Sequence, residues 1–240
     1  MGPLKGLKIL EFSGIGPGPF CGMLLADLGA EVIRLDKSSS HGNHNKADIH
    51  NRNKKSITVD LKNPESIIEV KKLISQMDGI FEGFRPGVME RLGLGPKECL
   101  DLNKSLVYGR MTGWGQEGPM AKQSGHDINY IALSGVLDSM GRKGENPQPP
   151  LNLVGDFGGG GMLLAVGMLS AFIHAQKTGD GQVVDAAMID GSSMLMSMFY
   201  SFKEMGFWNE GKESNLLDGA AHFYDTYECS DNKHIAIGSI

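Results

Sequence analysis

The sequence predicts an α/β domain built on a parallel sheet with flanking helices, and three observations carry that expectation. Short apolar strands alternate with helical segments from Lys8 onward. Glycine-rich turns sit where strands hand over to helices. A chain of 240 residues is also long enough for one large domain with a sizeable core and the start of another.

Lys8–Phe12 alternates as a strand does and leads into the turn Ser13-Gly14-Ile15-Gly16-Pro17-Gly18-Pro19. A helix over Phe20–Leu28 stops at Gly29, where glycine suits the left-handed position after a helix. Glu31–Leu35 completes a βαβ unit. The alternation continues through a strand at Ser56–Asp60, a helix after Pro64, and strands at Gly79–Glu82 and Ser105–Met111. Between them, the polar stretch Asp36 to Lys55 holds His41, His44 and His50. Acidic and Cys partners in ligand register are missing there, so it reads as a solvated loop and not as a metal site.

Past Asp156 a long helix is expected to about Gln176, then a strand at Gln182–Ala186 and a Met-rich helix from Asp190 to about Phe207. Residues 1–208 thus form the large domain and 209–220 a polar linker. Strands at Phe223–Cys229 and His234–Ile237, within 221–240, open a smaller second domain. One hairpin cannot enclose a core, so the chain reads as a truncated part of a longer protein.

Composition excludes several classes. A net charge of −5 gives no global reason to bind nucleic acid. Cys21, Cys99 and Cys229 are odd in number and far apart, which suits reduced thiols in an intracellular protein. Leu7–Phe12 is too short an apolar run for a secretory signal. Phe157–Ile173 is uncharged, and about 17 residues is the lower edge for a membrane span. Asp156 bounds it on one side, His174 and Lys177 on the other, and glycines fill its first turn, so a buried core helix is expected and no membrane span. Gly14-Ile15-Gly16-Pro17-Gly18 with Asp36 imitates a dinucleotide fingerprint, yet Pro17 and Pro19 remove N–H donors a pyrophosphate would need. NAD is therefore not expected; the turn serves close packing of a ligand or of backbone.

The chemistry concentrates in two segments. One is Ser124-Gly125-His126-Asp127-Ile128-Asn129-Tyr130, the other Leu153-Val154-Gly155-Asp156-Phe157-Gly158-Gly159-Gly160-Gly161. Each places a titratable side chain where an apolar helix begins. Ser124-x-x-Asp127 has capping-box spacing. The positive potential of a helix start disfavours imidazolium at His126, and a neutral imidazole can accept a proton and return it. Asp156, placed before its own helix, is held as a carboxylate; four following glycines suggest a ligand approaching closely, with free N–H groups for an oxyanion. A core histidine and an ordinary Asp N-cap are the plain alternatives. Basic residues at Lys37, Arg52, Lys54, Lys55, Lys62, Arg85 and Arg91 suit phosphate groups at strand ends, although any one of them also suits a solvated face.

Four stretches carry a resemblance: Gly125-His126-Asp127-Ile128-Asn129-Tyr130, Pro150-Leu151-Asn152-Leu153 with Asp156, Glu82-Gly83-Phe84-Arg85-Pro86-Gly87, and Asn215-Leu216-Leu217-Asp218-Gly219. From about Leu4 to Ile240 the chain resembles the α-methylacyl-CoA racemase branch of the family III CoA-transferase superfamily. The resemblance implies a Rossmann-like large domain, a smaller second domain and an interlocked homodimer. It implies an acyl-CoA substrate branched at C2, epimerised without a dissociable cofactor, CoA entering as part of the substrate. His126 and Asp156 would be the bases on opposite faces of the α-carbon, with Asp127 supporting the histidine. Arg85, Arg91, Lys62 and Tyr130 fall at CoA-contacting positions. Lys37 stands where the family usually has Arg, and it lacks the planar guanidinium that would stack on adenine. Met188, Met194, Met196 and Met198 are similar to a methionine-rich acyl surface, with core filling the alternative for each.

The resemblance also implies a peroxisomal or mitochondrial location, or a cytoplasmic one in a bacterium. A glutamate after position 240 partners the histidine in the family, so residues 1–240 alone are expected to be poorly soluble and at best a weak CoA binder. Two other readings stay open: a family III CoA-transferase with Asp156 as nucleophile forming an anhydride, and a catalytically silent CoA-binding module.

Overall fold

The computed structural model describes residues 2–37, 45 and 47–240. The expectation for His41 and His44 lies outside the described residues. Strands β1 (Lys8–Phe12), β2 (Glu31–Lys37), β3 (Lys54–Val59), β4 (Gly79–Glu82), β5 (Val107–Thr112) and β6 (Gln182–Ala187) form one sheet in the order β3-β2-β1-β4-β5-β6. Every neighbouring pair is parallel. This is the doubly wound Rossmann-like order, and the chain reverses direction across the sheet between β1 and β4.

Alternation along each strand sends side chains to two cores. Ile9, Val32, Phe81, Val107 and Met111 pack with Cys21 and Leu25 of α1 (Pro17–Asp27) and with Leu164, Met168 and Phe172 of α6 (Leu163–Thr178). Leu10, Leu35, Ile80, Leu106 and Tyr108, at alternate positions of the strands and their approaches, face the other way. They meet Val70 and Ile74 of α2 (Pro64–Ile74), Met89 of α3 (Val88–Arg91) and Cys99 of α4 (Pro96–Leu102). Burial pushes both Cys21 and Cys99 thiols up, the latter to about 12, so each stays protonated.

Several boundaries differ from the sequence-based expectation. Helix α1 begins at Pro17, inside the expected turn, because proline's fixed φ and missing N–H suit a first helical turn. Helices α3 and α4 were not foreseen; Gly87 in the left-handed region (φ 83) and Pro96 at a first turn are their local signals. The Met-rich run divides at Met196 into α7 (Met188–Leu195) and α8 (Ser197–Glu204). Helix α5 spans Asp127–Leu133. The helix expected after Asp156 starts at Leu153 as a π-helix through Met162 and only then continues as α6.

The continuous run Leu153–Thr178 is long and apolar enough to cross a bilayer by length and composition. In the fold its inner stripe lies on the sheet. Leu164 and Met168 fill the space above Gly109, and Phe172 fills that above Gly79. The last elements, β7 (Tyr224–Glu228) and β8 (His234–Gly238), pair antiparallel as a separate hairpin. Arg142 holds it to the preceding chain, donating to Asp225 at 2.6 Å and to Glu213 at 2.9 Å.

Helix α7 crosses the π-helix at a glycine pair. A Cβ on Gly191 would overlap the Gly159 carbonyl oxygen, and one on Gly159 would lie 2.6 Å from Ser192 N. Gly191→Ala should therefore destabilise the fold by about 1–3 kcal/mol, the cost of overpacking, even though alanine is the better helix former. A shift of the urea midpoint to lower concentration checks this; an upward shift would contradict the close crossing.

Candidate functional site

The ends of the strands around the β1/β4 reversal open into a cleft of about 760 Å³. Its lining comes from the turn after β1 (Ser13 to Pro19), Lys37 after β2, Gly83 to Pro86 after β4, and Thr112 to Trp114 after β5. His126, Tyr130, Asn152 and Asp156 close the remaining side. Ligands of open α/β sheets bind at this place because the loops diverge there. The two segments singled out in the sequence thus meet in space.

His126 is the N-cap of α5, in extended conformation (φ −134, ψ 172). Its N–H donates to Asn129 Oδ1 at 2.9 Å, while its carbonyl accepts from the N–H of Asn129 at 2.8 Å. The cap is thus His126 with Asn129, and Ser124 lies outside it, contrary to the Ser-x-x-Asp reading. With this cap His126 stands at the mouth of α5 and lines the cleft. The first-turn N–H groups of Asp127 and Ile128 find no acceptor among the described residues, as is normal where a helix starts.

Asp156 sits inside the π-helix, not before a helix. Its own N–H donates to Asp127 Oδ2 at 2.7 Å, and its Oδ2 accepts from Asn152 Nδ2 at 3.1 Å. The N–H of Phe157 goes to Asn152 O at 3.3 Å. The expectation that N–H groups of Asp156 and the next glycines stand open to an oxyanion is therefore corrected. The four glycines serve helix contact: Gly160 meets Met188 and Pro17, and Gly161 meets Phe20. Close approach to the carboxylate comes instead from Gly16 (φ 66), where a Cβ would lie 2.9 Å from Asp156 Oδ2.

Asp127 is 5% exposed, and its hydrogen bonds run to the backbone of Asp156 and Gly155. Burial raises its carboxyl, and those two N–H donors pull it back. The side chain thus braces the segment bearing Asp156 and not the imidazole, a correction to the role expected for it. Its Oδ1 is buried with no partner among the described residues. Tyr130 packs edge-on against Trp114 at 4.7 Å, and burial pushes its phenol up to about 12. It is a neutral wall of the cleft.

The basic set divides. Lys37 and Arg85 line the cleft. Lys62 is exposed in the turn after β3, and Arg91 is exposed at the end of α3, where its guanidinium folds over Gly87; neither lines the cleft. Arg52, Lys54 and Lys55 are engaged in the fold, with Asp27, Glu11 and Glu31 respectively. Lys54 is the buried one, 2.6 Å from Glu11 and 2.9 Å from the Pro19 carbonyl, so it fixes the turn after β1. His50 packs edge-on against Phe157 at 5.4 Å, which corrects the solvated-loop reading for this residue. Among the described residues there is no cluster of His, Cys, Asp or Glu fit for a metal.

Asn152, Trp114 and Glu82 were missed as parts of this region. Asn152 was legible only as one residue of a motif, since its bond to Asp156 depends on the π-turn. Glu82 ends β4 at 1% exposure, accepting from Phe84 N at 2.6 Å and from Arg110 Nε at 3.2 Å. Burial outweighs both donors and raises its carboxyl to about 7. A raised carboxyl favours the fold fully below about pH 4.5 and loses that contribution as pH rises through about 7. Glu82→Gln should accordingly gain stability relative to wild type between pH 5 and pH 8. Denaturant unfolding at both pH values checks this, and a relative loss would mean that Arg110 pairing dominates.

The chain belongs to CoA-transferase family III, whose model it matches over residues 4–240. It is 45% identical to the mouse (Mus musculus) alpha-methylacyl-CoA racemase over 237 residues and 44% identical to the human (Homo sapiens) enzyme over 237 residues. These alignments cover 99% of this chain, which spans 61% of the length of each relative. The crystal structure of a CAIB/BAIF family protein from Brucella suis superposes with a TM-score of 0.84 at 27% identity, covering 96% of this chain and 65% of that one.

Proposed function

We propose that the cleft is the active site of an α-methylacyl-CoA racemase, which epimerises C2 of 2-methyl-branched fatty acyl-CoA thioesters through an enolate. The observation that carries this reading is that His126, the N-cap of α5, and Asp156, inside the π-helix, line one cleft. A transfer reaction has no evident use for the second base. One base takes the α-proton, the C–H electron pair passes into the thioester as an enolate, and the other base returns a proton to the opposite face. The enolate oxygen needs donors, and the unspent N–H groups of Asp127 and Ile128 are the available ones beside His126. Asn152 keeps the Asp156 carboxylate in place. No dissociable cofactor enters these steps. Identity with the mouse and human racemases supports the substrate class.

Further parts of the reading rest on the family resemblance. They are an interlocked homodimer, a peroxisomal or mitochondrial location, and CoA contacts from Lys37, Lys62, Arg85, Arg91 and Tyr130. Sedimentation analysis reads the first, and localisation of a tagged protein reads the second.

His126→Ala and Asp156→Ala should each slow exchange of the α-proton of a 2-methylacyl-CoA into D₂O by at least roughly 10²-fold, the scale of general acid–base catalysis. CoA binding should hardly change. Exchange near the wild-type rate in either variant would remove the two-base mechanism. An acyl–Asp156 adduct captured by hydroxylamine would instead establish the CoA-transferase chemistry.

Arg85→Ala should weaken acyl-CoA binding and leave turnover at saturation largely intact, because phosphate contacts far from C2 change little along the reaction. Affinity should also fall with added salt. A loss of turnover at unchanged KM would place Arg85 in the chemistry instead.

A further inference from the structure

We propose that Arg110 is a positioning residue for CoA recognition: from inside the sheet it fixes both segments that carry the exposed arginines, the Gly83–Gly87 loop with Arg85 and helix α3 with Arg91. The inference rests on the reading that those arginines face CoA phosphates.

Arg110 lies on β5 in register with Glu82 of β4 on one side and Asp185 of β6 on the other. Its guanidinium is buried. Nε donates to Glu82 Oε1 at 3.2 Å, and Nη1 and Nη2 donate to Glu90 at 2.8 and 3.3 Å. The first contact reaches the loop, because Glu82 Oε2 takes the N–H of Phe84 at 2.6 Å and so fixes the chain just before Arg85. The second reaches the helix, because Glu90 precedes Arg91 in the short α3. The two arms rejoin where the Arg91 guanidinium folds over Gly87, the N-cap of α3.

Burying one guanidinium between carboxylates adds little net stability, since desolvation offsets most of the attraction. What a planar fork with donors on two edges does supply is a fixed angle between its partners. Here the partners are the two structures bearing the candidate phosphate ligands. Lysine would keep the charge and lose the fork.

The experiment is a titration of CoA into the purified protein by calorimetry, for wild type and for Arg110→Lys, Glu90→Gln, Arg85→Ala and Arg91→Ala, with steady-state kinetics on a 2-methylacyl-CoA. Arg110→Lys should weaken CoA by at least about 5-fold and raise KM in proportion, with kcat within about 2-fold of wild type. Combined with Arg85→Ala it should cost less than the sum of the two single changes, because both remove one recognition unit. If Arg110→Lys does not fold, Glu90→Gln reads the α3 arm, since the Glu90 side chain is 43% exposed: it should weaken CoA and be less than additive with Arg91→Ala. A folded Arg110→Lys with lower thermal stability and unchanged CoA affinity would overturn the proposal. So would an unchanged affinity in Glu90→Gln when that is the variant that folds, or strict additivity in the cycles. If Arg85→Ala and Arg91→Ala themselves leave affinity unchanged, the CoA placement falls and this inference with it.

Discussion

The hydrogen bond from Asp156 N–H to the buried Asp127 carboxylate holds the site together. At 2.7 Å it joins the first residue of α5 to the π-helix, two segments separated by a long loop and carried by different parts of the fold. Because Asp127 directly follows His126, the same bond ties the segments bearing His126 and Asp156 together through very little backbone. A carboxylate accepting two N–H groups in a nearly dry environment makes a strong, directional contact, and losing it would leave a buried charge uncompensated. Several neighbouring contacts support that junction. The β1 turn brings Gly16 against Asp156, Lys54 pins that turn through Pro19, and α7 presses on the π-helix from behind.

Close backbone contact is the second theme. Gly159 and Gly191 let the backbones of the π-helix and α7 meet directly, while Gly155, Gly160 and Gly161 admit Asp127 of α5, Met188 of α7 and Phe20 of α1 against the same segment. The crossing at Gly159 and Gly191 tolerates almost no relaxation, since the atoms that would have to move there are backbone. The segment bearing Asp156 is thereby held on several sides, which is the preorganisation the proposed proton transfer requires.

The fold was largely readable from the amino-acid sequence because strand alternation and helix-ending glycines are local signals. Strands β1 and β4 fall at their expected bounds, and the α/β class follows from their order. Helices α3 and α4 escaped notice because each is too short to show a period. His126, Asp127 and Asp156 were legible as a group, since titratable residues beside glycine at apolar helix starts are uncommon. What each one bonds to was not. The partner of Asp127 depends on how two distant segments cross, and the glycine run that looked like a ligand cradle turned out to be a helix-packing surface. Likewise Lys54 and Lys55 looked available for phosphate, but their carboxylate partners come from other strands and appear only once the sheet is assembled.

The π-helix has a consequence for how this region tolerates changes in length. In α geometry each residue advances about 100° around the axis; a wider turn fits extra chain into the same span. Leu153–Met162 therefore stores surplus backbone between the loop and the regular α6. Removing one residue there would turn the preceding part of the segment by about 100° relative to α6. Asp156 would swing off the cleft and leave Asp127 without its donor, and the glycine crossing with α7 would lose its register. The chain's length at this point, more than its composition, is what aims the carboxylate.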